Sequence, residues 1–217
     1  NLELAKAGGA ATSNAQGNLM VNNVGSFEIV ADFDVGQVGG TGASTSTATA
    51  NILNANTLNV GSNVDVGRTS GSSAVGNSGQ GILNITESDV LVGFADPLAP
   101  GSINIGGISA SLRDIAHGDG VVKLERVQLE VANRVVVGDL SGGGTNPASS
   151  SQGTLNLIES EVVLNKFDVA RITTGTQGTV TGKVILDSTL VSVDGAMTLG
   201  PLATLEFGLS GLSRADG

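Results

Sequence analysis

The chain has 217 residues, a formal net charge of −10, and no cysteine, tryptophan or tyrosine. The acidic balance and the scattered lysines and arginines argue against nucleic acid or an anionic membrane surface as a partner, because both need a basic footprint. The absence of cysteine excludes disulfides and thiolate metal sites, and no apolar run approaches the roughly 20 residues of a membrane span.

The composition also limits the kind of core. Hydrophobic residues make up 40% of the chain but only five are Phe, so Val, Leu, Ile and Ala must form the interior. Glycine, at 33 residues, is about twice its usual share, which predicts tight turns or close backbone contacts. The chain begins at Asn1 rather than Met, and residues 203–217 start a new strand pattern and then stop. We therefore expect a segment of a longer, exported chain.

Short strands with alternating apolar residues follow one another from the start of the chain. The first group runs from GNLMV at Gly17 to DFDVG at Gly36. The closing phrase then recurs at intervals of 30 to 39 residues, as NVDVG (Gly67), SINIG (Gly106), RVVVG (Gly138), KFDVA (Ala170) and AMTLG (Gly200). The sequence therefore has an internal repeat of about 32 residues.

Each repeat contains three short strands. GILNI at Gly81 is matched by GVVKL at Gly120, GTLNL at Gly153 and GKVIL at Gly182, and a polar break such as TESD (86–89) follows. A second apolar pair comes next, as Phe27/Ile29, Leu58/Val60, Val90/Val92, Leu129/Val131, Val162/Leu164 and Val191/Val193. Gly/Ser/Thr-rich stretches at 37–50, 68–80 and 139–152 are predicted loops that leave one corner of the repeat.

This pattern predicts one all-β domain over residues 1–217, a right-handed parallel β-helix of about six turns. Alternation places one face of each strand in a core that only stacked turns can complete. Turns about 4.8 Å apart give a rod of about 29 Å, and the hand follows the usual crossover rule. The alternative is an antiparallel sandwich. The best helix candidate is ISASLRDIAHGD (108–119), of one or two turns at most.

The repeat predicts which side chains are neighbours on adjacent turns. One outward column contains Glu87, Arg126 and Glu159, where opposite charges attract. A second column contains Asn84, Lys123 and Asn156, whose amides can hydrogen-bond along the axis.

Asp34, Asp65 and Asp168 lie in the middle of third strands and are expected to form a solvated acidic face. The first two are adjacent, an arrangement that can attract a hard cation. The calcium-binding solenoid phrase G-G-x-G-x-D is absent, and we assign no metal site or cofactor.

No set of residues predicts catalysis. His117 is the single histidine and is expected to be an ordinary loop residue, since a catalytic histidine needs a nucleophile and an acid beside it. Glu87 and Asp89, like Glu159 and Glu161, would point the same way if strand geometry continued through the polar break. Glycoside hydrolysis uses paired carboxylates, but the chain has no Trp or Tyr as a sugar platform, so we assign no catalytic residue.

The threonines of TSTAT (45–49) have the spacing of an ice-binding array, but they fall in a predicted loop and do not recur at equivalent positions.

The units GQGILNITESDVLVG, GTLNLIESEVVLN and ATLEFGLSG resemble the G-x-L-x-I-x-x-S-x-V-x-V-G repeats of secreted bacterial β-helix proteins. Autotransporter passengers and PEP-CTERM-type exported surface proteins are the nearest families. The resemblance covers roughly residues 17–210. It implies an extracellular or cell-surface location and a scaffold, adhesin or matrix role, with no family catalytic residues to carry over.

The expected function is a non-enzymatic, extracellular structural or adhesive scaffold. End-to-end stacking of copies into a fibre or surface layer, or stacking on flanking turns of the same chain, would cover its ends. The alternative is a β-helix that binds or degrades polysaccharide at a cell surface.

Overall fold

The computed structural model describes residues 1–9, 12–40, 42–71, 76–110, 115–141, 146–173 and 177–208. These residues form parallel strands stacked as a β-solenoid of about six turns with a period of about 32 residues, and they contain no helix. The strands are β1 (Leu2–Ala7), β2 (Ser13–Ile29), β3 (Phe33–Val38), β4 (Ser44–Val60), β5 (Val64–Val66), β6 (Thr69–Gly71), β7 (Asn77–Val92), β8 (Ile103–Ala110), β9 (Ala116–Ser141), β10 (Ser150–Ile158), β11 (Glu161–Ile172), β12 (Thr179–Asp187), β13 (Leu190–Val193), β14 (Met197–Leu199) and β15 (Ala203–Gly208).

Strand β9 shows the course of one whole turn. The first side runs over residues 116–125, the second over 127–131 and the third over 135–137, as predicted. A short fourth side over 139–141 was not predicted. It follows Gly138, and its equivalents at 107–110 and 171–172 pair with it in parallel.

The first two sides meet at a polar corner formed by a single left-handed residue in each turn. The predicted break TESD is therefore a corner, as expected. Its residue has φ between 48° and 54° in all six turns: Asn23, Asn54, Glu87, Arg126, Glu159 and Ser188. Such a residue interrupts the ladder of backbone hydrogen bonds between turns. A neighbouring serine hydroxyl then accepts the hydrogen bond of a backbone amide in place of a carbonyl. Ser88 Oγ accepts the amide of Ala55, and Ser160 Oγ accepts the amide of Val127, both at 3.2 Å.

The third and fourth sides meet at a glycine corner. This corner lies against the backbone of the first side across the interior, and the two together form a narrow waist. The corner glycines Gly36, Gly67, Gly106 and Gly138 have φ between 63° and 74°. A Cβ on Gly106 would overlap the carbonyl of Gln152 beside Gly153. The same close approach joins Gly36 to Gly81, Gly67 to Gly120 and Gly138 to Gly182. The excess glycine therefore reflects backbone contacts across the interior as well as turns.

The waist divides the interior into two unequal lobes. The large lobe holds the predicted columns of Val, Leu and Ile, together with Phe33 and Phe167. The small lobe contains Ile108, Ala116, Leu140, Ala170 and Val180. Buried Ser and Thr side chains lie beside the waist and hydrogen-bond to the backbone. Ser151 Oγ, for example, accepts the amide of Asp139 at 3.0 Å and donates to the carbonyl of Gly106.

Two local predictions were wrong. Much of the Gly/Ser/Thr-rich sequence is strand, because its small inward side chains fit the narrow lobe: residues 44–50 belong to β4 and residues 77–80 to β7. The helix candidate 108–119 includes strand residues of β8 and β9 at its two ends, and its residues 111–114 lie outside the described chain. The longest repeat has 39 residues. Its extra length lies in residues 93–102, between the second and third sides, and not in a helix.

Candidate functional site

The polar corner carries one of the predicted charge pairs. Arg126 Nε donates to Glu87 Oε1 at 3.0 Å across adjacent turns, and Arg126 Nη1 donates to Glu125 at 2.6 Å. Hydrogen bonds from Lys123 and then Arg126 lower the pKa of Glu125. The pairing of Glu87 with Arg126 is thus confirmed. Glu159 shares the corner position but forms no ion pair with the described residues, because Arg126 points to the other two carboxylates.

The predicted amide column has the expected register but only part of the expected bonding. Asn51, Asn84, Lys123 and Asn156 are partners on successive turns. Asn84 Nδ2 donates to Asn51 Oδ1 at 2.8 Å. The ladder stops at Lys123, which pairs instead with Glu125 at 2.9 Å, and Asn156 Oδ1 is buried with no hydrogen-bond partner among the described residues.

The acidic column of the third side is buried, so the expectation of a solvated face was wrong. Asp34 and Asp65 are register partners and each is 4% exposed. Asp65 accepts hydrogen bonds from Asn104 at 2.7 Å and from Arg68 at 2.8 Å. Arg68 directly follows the corner residue Gly67, so the bend at this corner brings Arg68 into contact with Asp65 on the third side. Asp168 is half-buried and pairs with Arg134 at 3.8 Å.

Asp34 differs from Asp65 because no cation compensates it to the same extent. Its Oδ1 is buried without a hydrogen-bond partner among the described residues. Burial, followed by the negative charges of Asp65, Asp32 and Glu3, raises the pKa of Asp34 to about 6, and Lys6 only partly opposes this. Within the described chain, no three His, Cys, Asp or Glu side chains are arranged to hold a metal ion.

A second ion pair on the fourth side was not predicted. Arg171 Nε and Nη2 donate to Asp139 Oδ1 and Oδ2, both at 2.8 Å, in the bidentate geometry of strong guanidinium–carboxylate pairs. The two residues are 32 apart, which is the repeat length, so the period itself was a usable signal. No sequence pattern indicated that residues 139 and 171 belong to a strand, because both lay beyond the predicted third strand.

His117 is a strand residue rather than a loop residue. It lies on β9, and its ring Nδ1 is 2.8 Å from Ser150 Oγ on the next turn. Its backbone carbonyl accepts a hydrogen bond from Thr69 Oγ1 at 2.6 Å. The side chain therefore takes part in turn-to-turn bonding.

The other carboxylates named from the sequence are separated by the corner. Glu87 and Glu159 have left-handed backbones, so they do not continue the alternation of Asp89 and Glu161. Asp89 and Glu161 lie on the second side and line an open depression of about 440 Å³. Gln128 separates them in the register, which puts their backbones roughly 9.6 Å apart.

The first side presents a broad face of mostly polar side chains. TSTAT belongs to β4, not to a loop, and Thr45, Thr47 and Thr49 alternate outward along it. Their register partners on β7 are Ser78, Gln80 and Ile82. Two depressions of about 160 and 560 Å³ lie on this face, and both are lined by Asp119. The threonine spacing thus continues as a mixed hydroxyl and amide surface.

Comparison of the chain with protein-family models, with curated proteins and with solved structures gave no match. Among the described residues, no helix is long and apolar enough to cross a membrane.

Proposed function

We propose that this chain is a non-enzymatic structural rod that acts as an extracellular or cell-surface scaffold. The observation that carries the proposal is the use of charge. Every lysine and arginine of the described chain except Lys166 forms an ion pair with a carboxylate of its own or a neighbouring turn. Four of these cations, Arg126, Arg134, Arg171 and Lys183, pair with a carboxylate on a neighbouring turn. Charged side chains used in contacts within the rod favour a scaffold over a site that must release and rebind substrate.

Assembly through the ends extends this proposal. Within the described chain, β2 pairs only with β4, and β1 only with β3, so the first turn has one unpaired strand edge. Its inward residues Leu19, Val21 and Phe27 are only partly buried. A second copy stacked head to tail would pair that edge and cover these side chains, and repetition of such a heterologous contact builds a filament. Flanking β-helix turns of the same chain are the competing occupant.

Two experiments test the scaffold proposal. Negative-stain electron microscopy of the purified chain at high concentration should show axial stacking, and uniformly dispersed single particles would remove the assembly component. Incubation with neutral and acidic polysaccharides should leave their chain lengths unchanged. Cleavage that disappears in Glu161→Gln or Glu159→Gln would contradict the non-enzymatic role.

A further inference from the structure

One column of the first side has hydrogen-bonding groups that the described chain does not use. It consists of register partners on six successive turns, called here the free column: Gln16, Thr47, Gln80, Asp119, Gln152 and Thr181. All six side chains are exposed. None of these side chains hydrogen-bonds or forms an ion pair with another described residue. Partial burial of its carboxyl group is the one cause that raises the pKa of Asp119.

The adjacent column on one side behaves differently. On one side, Thr45 Oγ1 donates to Asn14 at 2.6 Å, and His117 bonds to Ser150 at 2.8 Å. On the other side, the adjacent column contains Asn18, Thr49 and Thr154, which form no side-chain hydrogen bonds with the described residues, and the next column holds the bond from Asn84 to Asn51 at 2.8 Å. The free column and this neighbour therefore offer unused donors and acceptors between two columns that contain turn-to-turn hydrogen bonds.

The residues of the free column from Thr47 to Thr181 line two adjoining depressions that share Asp119, called together the groove. Gly81, Gly153 and Gly182 also line it, and Ile82, Val121, Thr154 and Lys183 lie on its other side. Ile82 is 42% exposed. The backbone under Gln80, Asp119 and Gln152 is fixed against the glycine corners across the waist. The polar wall therefore has a rigid base, which lowers the ordering cost of binding.

These features define the chemistry of a ligand. Each amide offers both a donor and an acceptor, and each hydroxyl can act as either. The opposite wall offers exposed aliphatic surface, and the net charge of −10 opposes polyanions. A matching ligand has hydroxyls along its edge, C–H groups on its face, no negative charge and a repeating structure. The free column spans about 24 Å at the spacing of parallel strands.

We propose that this groove binds a neutral polysaccharide chain lying parallel to the solenoid axis. Gln80, Asp119 and Gln152 hydrogen-bond to its hydroxyls, and Ile82 and Val121 contact the faces of its rings. The site goes beyond the scaffold role because it names what the rod attaches to. Its loss would leave the rod intact.

Native gel electrophoresis in gels cast with soluble polysaccharides tests this inference. Hydroxyethyl cellulose, a mixed-linkage β-glucan, dextran and galactomannan represent the neutral class, and alginate represents the acidic class. At least one neutral polymer should retard the wild-type chain, and alginate should not. Gln80→Ala with Gln152→Ala should weaken the apparent affinity by about tenfold, since two hydrogen bonds are lost.

Gln128→Ala is the matched control, because Gln128 is an exposed glutamine on the second side, outside the groove. It should migrate like wild type, and circular dichroism should show that all variants keep the same fold and melting temperature. Absence of retardation by every neutral polymer, or equal weakening by both substitutions, would overturn the proposal. Thermal hysteresis in ice without polysaccharide retardation would also overturn it, in favour of an ice-binding face.

Discussion

Asp34 and Asp65 lie opposite each other on neighbouring turns, and only Asp65 is compensated. Both Asp65 oxygens accept hydrogen bonds, from Asn104 and Arg68, whereas Asp34 Oδ1 accepts none from the described chain. Burial and the neighbouring negative charges, without a compensating hydrogen bond to Oδ1, raise the pKa of Asp34 to about 6.

Substitution Asp34→Asn should stabilise the fold at neutral pH. An unfolded aspartate loses its proton near pH 4, but folded Asp34 keeps it until about pH 6, so stability falls as pH rises between these values. The penalty is fully present above pH 6 and amounts to at most about 3 kcal/mol. Urea unfolding should show the variant more stable than wild type at pH 7.5 and nearly equal at pH 4. Asp168→Asn, which removes the partner of Arg134, should give no stabilisation. Equal curves for wild type and Asp34→Asn at pH 7.5 would contradict this assignment.

The ion pair between Arg171 and Asp139 should contribute more to the free energy of unfolding than the pair between Arg126 and Glu87. The first is bidentate, with side chains 29% and 11% exposed, and the second has side chains 43% and 50% exposed. Arg171→Met leaves the buried carboxylate of Asp139 without its partner, and we expect a loss of about 1.5–3 kcal/mol. Arg126→Met should cost less than about 1 kcal/mol. Thermal melts in low and high salt measure both, and a larger loss for Arg126→Met would refute the ranking.

The waist predicts a strong asymmetry between two glycine substitutions. Gly106→Ala adds a side chain to a backbone with φ of 63° and against the carbonyl of Gln152. The combined backbone and packing cost is about 2–4 kcal/mol. Gly25→Ala meets no atom within 4 Å and should be neutral or slightly stabilising. If equilibrium unfolding gives the two variants similar stabilities, the two backbones do not meet at the waist. Failure of Gly106→Ala to fold under conditions in which Gly25→Ala folds would give the same ranking.

At position 159 of the polar corner, we expect the tolerance of the residue for a left-handed backbone to affect stability more than its charge does. Glu159 has φ of 48° and no ion pair within the described chain. Asparagine tolerates the left-handed region best among non-glycine residues, so Glu159→Asn should keep or raise the melting temperature. Glu159→Val should lower stability by about 1–2 kcal/mol, because a β-branched residue is strained there. Similar melting temperatures for the two variants would show that the corner relaxes on substitution.

The sequence was sufficient for the features that recur at the same position of each repeat. Alignment of the repeats placed Glu87 beside Arg126 and Asp34 beside Asp65, because parallel stacking turns equivalent positions into neighbours. It could not show the waist, since Gly36 and Gly81 occupy different positions in the repeat and meet only through the bend at the glycine corner. The burial of Asp34 follows from the same bend. Likewise, Ser46 and Ser151 suggested loops by composition, although the narrow lobe requires small inward residues.

The waist also affects how the rod can come apart. Ladder hydrogen bonds join each turn only to its neighbours, but Thr69 donates to the carbonyl of His117, 48 residues away, and Gly67 contacts Asp119 and Gly120. Both contacts span more than one repeat but less than two, so they join neighbouring turns across the interior. In a nearest-neighbour description of repeat proteins, they add to the coupling that the ladder provides. Fraying from an end should therefore be more cooperative than the ladder alone would make it, and hydrogen exchange should reveal cooperative units longer than one repeat.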